Sequence, residues 1–216
     1  MRLAVFDLDN TLLAGDSDYL WGRYLVEHGL VDGDTYAREN ERFYREYQAG
    51  TLDIHAYAAF ALQALVDGDL DMLRALRARF VAERIAPIVA PGARALLERH
   101  RRDGDCLLIT TATHRFVVEP IAELLGVEHL LATEPEIVDG RYTGRIAGIP
   151  NFQSGKVLRL RQWLADRPAC THMSCYSDSH NDIPLLELAD RPVAVDPDPV
   201  LAALARARGW PVISLR

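Results

Sequence analysis

The feature that most constrains this chain is a short apolar run, Leu3-Ala4-Val5-Phe6, that leads straight into Asp7-Leu8-Asp9-Asn10-Thr11. Val5 and Phe6 favour extended backbone, and the run is too short to span a membrane or to serve as a signal segment, so it predicts a buried strand. Two carboxylates where a strand should still be buried require a charged partner or a metal. Side chains two apart on extended backbone share a side, so Asp7 and Asp9 can face one pocket at the strand's carboxyl end, where open α/β sheets bind ligands. Such a pair suits stepwise phosphoryl transfer. One carboxylate attacks phosphorus, and the other protonates the departing oxygen and later deprotonates water. A solvated strand-to-loop junction accounts for these few residues equally well.

Length and charge narrow the field. With 216 residues the chain suffices for one large domain, or a core with a small insert, around a real hydrophobic interior. A net charge of -7 argues against nucleic acid or an anionic membrane as partner, since both reward clustered Lys and Arg. Cys106, Cys170 and Cys175 form no metal-ligand spacing, and their odd number does not suggest a disulfide framework; a reducing, cytoplasmic setting is expected. Cys106 and Cys175, set in apolar runs, read as small core residues.

From Asp16 to about Ala86 the periodicity is helical, with Tyr19, Leu20, Tyr24 and Leu25 forming one apolar face, and no strand is predicted. Helices are expected around Ala56 to Val66 and Leu70 to Ile85, separated by Asp67-Gly68-Asp69. Beyond Pro91-Gly92, helix and strand alternate. Ala93 to Arg102, Phe116 to Leu125, Gly155 to Ala165, Asp182 to Ala189 and Pro199 to Arg208 read as helices. Between them Cys106 to Thr110, Leu130 to Ala132, Met173 to Ser177, Pro192 to Val195 and Val212 to Ser214 read as strands, with a hairpin across Asp139-Gly140. This alternation implies a mostly parallel sheet flanked by helices.

Three further groups stand where ligands bind. Thr110, Thr111 and Thr113 close the second core strand, where hydroxyls and the free N–H groups of the next helix can hold phosphate oxygens. Lys156 opens a helix, from which it can reach an anion in a neighbouring pocket, although a solvated lysine is the commoner outcome. Asp178-Ser179-His180-Asn181-Asp182 ends another strand, and Asp178 with Asp182 offers hard oxygens suited to Mg²⁺; His180 is expected to be exposed.

Taken together, DxDxT at Asp7 to Thr11, Thr111, Lys156 and D-x3-D at Asp178 to Asp182 resemble the haloacid dehalogenase-like superfamily, and its phosphoserine phosphatase-like branch in particular. The resemblance implies an α/β, Rossmann-like core with a mostly parallel sheet, formed by residues 1–15 and 87–216, and an inserted all-helical cap of the C1 type over residues 16–86. It implies a Mg²⁺-dependent phosphomonoesterase with an aspartyl-phosphate intermediate. Asp7 would be nucleophile and metal ligand, and Asp9 general acid/base with its backbone carbonyl on the metal. Asp178 would be a further ligand, and Asp182 a support for the metal's waters or for Lys156. Thr111, Asn181 and the backbone N–H groups of Leu8 and Ala112 would bind phosphate, and Lys156 would offset charge.

Substrate choice in this branch is set by the cap. Phosphoserine phosphatases carry a Glu nine residues after the nucleophile and a cap Arg for the substrate carboxylate; here the first position is Asp16. Asp16, Asp18, Tyr19 and Trp21 instead offer carboxylates and rings suited to a cation. DLDNTLL and SDSHND are similar to the motifs of bacterial histidinol-phosphate phosphatases, which implies that substrate and a place in histidine biosynthesis. The same features leave open a phosphoserine or broad-specificity phosphatase, and a non-catalytic binding module on the same fold. Tyr19 and Trp21 can equally pack inside the cap, and Arg38, Arg42 or Arg45 can still grip a carboxylate. A small phosphomonoester is the expected partner, with the chain a monomer or homodimer.

Overall fold

A computed structural model describes residues 1–216. The chain begins with β1 (Arg2–Phe6) and then runs through α1 (Ser17–Glu27), α2 (Gly33–Gln48), α3 (Ile54–Ala61), α4 (Gln63–Asp67) and α5 (Leu70–Phe80). α6 (Ala93–Arg102), β2 (Cys106–His114), α7 (Arg115–Leu124) and β3 (His129–Thr133) follow. A hairpin of β4 (Pro135–Val138) and β5 (Arg141–Ile146) precedes α8 (Ser154–Ala165), β6 (His172–Ser177) and α9 (Ile183–Leu186). β7 (Arg191–Val195), α10 (Pro199–Arg208) and β8 (Val212–Ile213) close the chain.

Six strands form one sheet in the order β3-β2-β1-β6-β7-β8, and every pairing in it is parallel. The period of two predicted for β1 decides its packing. Ala4 and Phe6 join a cluster of 35 buried residues that includes Leu97 of α6 and Val117 of α7. Leu3 and Val5 face the other way, into 12 residues that include Leu160 of α8, Leu185 of α9 and Leu201 of α10. The larger cluster also takes in Trp21, Leu62 and Leu73, so the helical segment after β1 shares apolar packing with one face of the sheet.

Some predicted bounds shift for local reasons. The helix expected over Ala56 to Val66 breaks at Leu62 into α3 and α4, and α5 ends at Phe80, with a wider turn carrying the chain to Ile85. A tight turn occupies His180–Asp182, leaving α9 shorter than expected. Cys175 is buried, whereas Cys106 is only half-buried. Below the sheet, His100 bridges the Asp105 carboxylate (2.6 Å) and the Tyr176 hydroxyl (2.8 Å), tying α6 to β6 by buried polar contacts. No helix is long and apolar enough to cross a membrane.

Candidate active site

From β1 the chain passes first to β2 and β3 on one side and later to β6, β7 and β8 on the other, so the order reverses at β1 and opens a crevice beyond the strand ends. Asp7 follows β1 directly, and its backbone N–H donates to Tyr176 O of β6 (2.9 Å). Asn10 then adopts φ +57°, a left-handed conformation that asparagine tolerates better than most residues, and the chain doubles back so that Thr11 returns beneath Asp7. The Thr11 hydroxyl lies 3.3 Å from Asp7 Oδ2 and 3.0 Å from Asp178 Oδ1, while the Asp178 N–H donates to the same hydroxyl (3.0 Å).

Lys156 is the cation of the site. Its side chain is 2% exposed, and Nζ donates to Asp7 Oδ1 (2.7 Å) and Asp182 Oδ2 (2.8 Å). Ser177 Oγ also donates to Asp182 Oδ2 (2.7 Å). Gly155 makes this placement possible, because a Cβ there would meet Pro150 O at 2.1 Å. Burial pushes the Asp7 carboxyl up, an effect that Lys156 opposes and Asp182 reinforces. The Lys156 ammonium is itself held charged by its two carboxylates against the desolvation of the site.

Asp9 is held from three directions. The Ser17 N–H donates to Oδ1 (2.6 Å), and the hydroxyls of Thr111 (3.2 Å) and Thr113 (2.9 Å) donate to Oδ2. β2 runs on to His114 because it bulges: three residues lie between Thr110 and His114, against one between their partners Leu131 and Thr133. That bulge turns both threonines toward Asp9. Asn151, which the sequence reading passed over, fixes the same strand end: Nδ2 lies 2.9 Å from Thr110 Oγ1, Thr111 O and Leu131 O. A lone loop asparagine carries no motif that would have marked it.

Above the strand ends lies a cavity of about 40 Å³, lined by Asp7, Asp9, Thr111 and Ala112 below and by Asp16, Asp18, Tyr19, Tyr44 and Tyr57 above. Asp16 caps α1, accepting from the N–H groups of Asp18 (3.0 Å) and Tyr19 (2.9 Å). Burial pushes Asp16 well up and raises Asp18 to about 7, with nearby Asp9 adding to both. No arginine or lysine is among the lining residues. Gly22 lets α2 approach α1 so closely that a Cβ there would meet Asn40 Nδ2 at 2.9 Å, and Asn40 from α2 then joins the lining.

Trp21 is corrected by the structure. It does not line the cavity; it is 2% exposed and packs against Phe80 (5.2 Å between rings), Tyr24 and Phe116. Its large apolar area falls on the face that α1 turns to the core with Tyr24 and Leu25, which outweighs any pocket role. Tyr19 does reach the cavity. Arg42 and Arg45 lie on the exposed outer face of α2, paired with Glu39, Glu46 and Glu41. Arg38 shares that surface. His180, expected exposed, is half-buried, with Nδ1 2.8 Å from the Asp198 carboxylate. Asn181 donates to Tyr47 O of α2 (3.1 Å) and accepts from Gln153 (3.0 Å). Leu8 buries its side chain in the core.

The donor set fits a hard divalent cation. Asp7 and Asp178 flank Thr11 with carboxylate oxygens, and burial together with their mutual repulsion pushes Asp178 well up, which marks unneutralised charge. No group of three or more His, Cys, Asp or Glu side chains converges in metal-holding geometry. Two carboxylates suffice for Mg²⁺, which usually keeps several waters.

Residues 4–187 match the haloacid dehalogenase-like hydrolases, and the chain belongs to that family. Within it, the chain is 42% identical over 220 residues to a histidinol-phosphatase of Neisseria meningitidis serogroup C, covering 100% of this chain and 99% of that protein. It is 35% identical to a phosphoserine phosphatase of Mycobacterium tuberculosis, over 99% of this chain and 70% of the relative. A crystal structure of a Bordetella pertussis protein described as of unknown function superimposes with a TM-score of 0.93 at 43% identity, covering 100% of this chain and 99% of the other.

Proposed function

We propose that this phosphomonoesterase hydrolyses a small phosphomonoester whose other end is cationic, with histidinol phosphate as its substrate, through a phosphoryl group carried on Asp7. The observation that carries the reading is the upper cavity wall, where buried Asp16 and Asp18 stand with Tyr19, Tyr44 and Tyr57 and no arginine or lysine. Buried carboxylates without a cation are unstable in their charged form, so a ligand that brings an ammonium or imidazolium supplies the missing partner. A substrate carboxylate would face repulsion there, and the α2 arginines that could answer it lie on the outer surface, Arg42 and Arg45 paired with glutamates. The histidinol-phosphatase relative at 42% identity supports the same substrate.

In this reading an Asp7 oxygen attacks phosphorus, and the bond to the leaving alcohol breaks as Asp9 delivers its proton to that oxygen. Water then attacks phosphorus with Asp9 taking its proton, which frees Asp7 and inorganic phosphate. Thr113 and the Ser17 N–H hold Asp9 in line for both transfers, which leaves the Thr111 hydroxyl to turn from Asp9 to the phosphate. Lys156 lowers the repulsion between Asp7 and an incoming dianion. The Thr111 hydroxyl, Asn181 and the N–H groups of Leu8 and Ala112 would cradle the phosphate oxygens. Asp7, Asp178 and the Asp9 carbonyl would hold Mg²⁺, with Asp182 keeping Lys156 in place. When bound, that ion supplies charge neutralisation for nucleophile and phosphate.

Residues 16–86 serve as a cap over a core of residues 1–15 and 87–216. A cavity of about 40 Å³ holds only a few waters, so substrate entry requires the cap to move. The contacts from Asn181 to Tyr47 O, and from Gln153 to Gly50 O (3.5 Å), join the cap to the core in the closed form. Phosphate release with Mg²⁺ from histidinol phosphate, phosphoserine and several sugar and nucleoside monophosphates tests the reading. Histidinol phosphate should give the highest kcat/KM, and a preference for phosphoserine would overturn it.

A further inference from the structure

One buried group near the cavity has no part in the chemistry above. His114, the last residue of β2, is 4% exposed, and neither of its ring nitrogens has a hydrogen-bond partner. An imidazole so placed leaves a donor and an acceptor unpaired, a cost of about 1–3 kcal/mol per group that is retained only where something offsets it. Its nearest charged neighbour is Asp18 in the cavity wall, whose Oδ1 lies 3.8 Å from His114 Nε2, just beyond hydrogen-bond range. The ring packs against Phe116, and Arg77 lies over that same phenyl group, 4.5 Å from its centroid.

We infer that His114 is a positioning residue for substrate specificity: when a cationic ligand enters, the neutral His114 ring closes its Nε2–H onto Asp18 Oδ1 and holds the carboxylate's other oxygen toward the ligand. This rests on the cationic-substrate reading above and names the residue that makes Asp18 selective. In the cavity wall burial, and then Asp9, disfavour the charge on Asp18, with only the Tyr57 hydroxyl favouring the ionised form. His114 is kept neutral there by its own burial and by the Arg77 guanidinium. Asp16 and Tyr36 face the same cluster without bringing a positive charge. A ligand cation reverses the balance by ionising Asp18, and an ionised carboxylate draws in the unsatisfied imidazole donor 3.8 Å away. A gap of 3.8 Å closes with a small rotation of either side chain.

The test is a double-mutant cycle read on two substrates, histidinol phosphate and phenyl phosphate, which has no cationic group. His114→Phe keeps a ring against Phe116 and removes the donor. It should raise KM for histidinol phosphate about tenfold with kcat nearly unchanged, and leave phenyl phosphate within about twofold. His114→Gln, which restores an N–H donor at similar reach, should recover most of the loss, and His114→Phe should add nothing in an Asp18→Asn background. Equal losses on both substrates, or an undiminished loss in that background, would overturn the assignment. A wild-type enzyme that does not prefer histidinol phosphate refutes the substrate reading instead.

Discussion

Replacing Lys156 by methionine isolates the electrostatics of the site, because methionine fills a similar volume without the charge. Nζ touches Asp7 and Asp182 at 2.7 and 2.8 Å and all three groups are nearly inaccessible, so the substitution orphans two buried carboxylates. Removing one partner of such a pair costs about 3–5 kcal/mol. The loss depends on pH in a direction that the structure sets. Burial already raises Asp7 to about 7, and Lys156 is what lowers it, so the variant holds the Asp7 proton to higher pH than the wild type. A carboxyl raised in the folded state contributes stability that is present at low pH and lost as pH climbs through the folded value. Below about pH 7 both folded proteins keep the proton; above it only the variant does. The deficit therefore widens by about 1.4 kcal/mol for each pH unit beyond about 7. Urea unfolding in EDTA at about pH 6 and about pH 8 measures this, and Asp7→Asn added to the variant should remove the widening. A deficit equal at both pH values, or one that still widens in the double variant, refutes the account of Lys156 as the counter-charge of Asp7.

Two further outcomes follow from the cavity wall and the outer face of α2. Asp18, raised to about 7 by burial, makes the ligand-free protein lose stability as pH rises from about 4 to about 7. Asp18→Asn should abolish a loss on the order of 4 kcal/mol, read by urea unfolding across that range, and an unchanged pH profile would contradict the burial argument. Changing Arg38, Arg42 and Arg45 together to alanine should leave kcat/KM within about twofold and stability within about 1 kcal/mol, since Arg38 is exposed and the ion pairs of Arg42 and Arg45 lie on the surface. A collapse of activity would place one of them in the substrate pocket.

The parts legible in the sequence were those written in short local patterns. The apolar run into Asp7 and Asp9, the alternation of helix and strand, and the turn at Asp139-Gly140 each depend on neighbours a few residues away, and the sheet that results has six parallel strands. Lys156 is the contrary case. Its local setting favours solvent, and only partners 149 and 26 residues distant, Asp7 and Asp182, account for its burial. The bulge that aims both Thr111 and Thr113 at Asp9 is equally non-local, since it comes from register against β3. Trp21 and Asp18 lie three residues apart on α1, and residue type together with position shortly after Thr11 assigns both to the substrate pocket. The helix places Asp18 at its first turn beside the cavity and Trp21 one turn deeper, against Phe80.

The measurement closest to the central claim is an acid quench during turnover of substrate labelled on its phosphoryl group, followed by mapping of the label. The account predicts label on the peptide carrying Asp7 in the wild type, with Asp7→Asn folded but unlabelled and inactive. Phosphate released without labelled protein, or label on any residue other than Asp7, would contradict it.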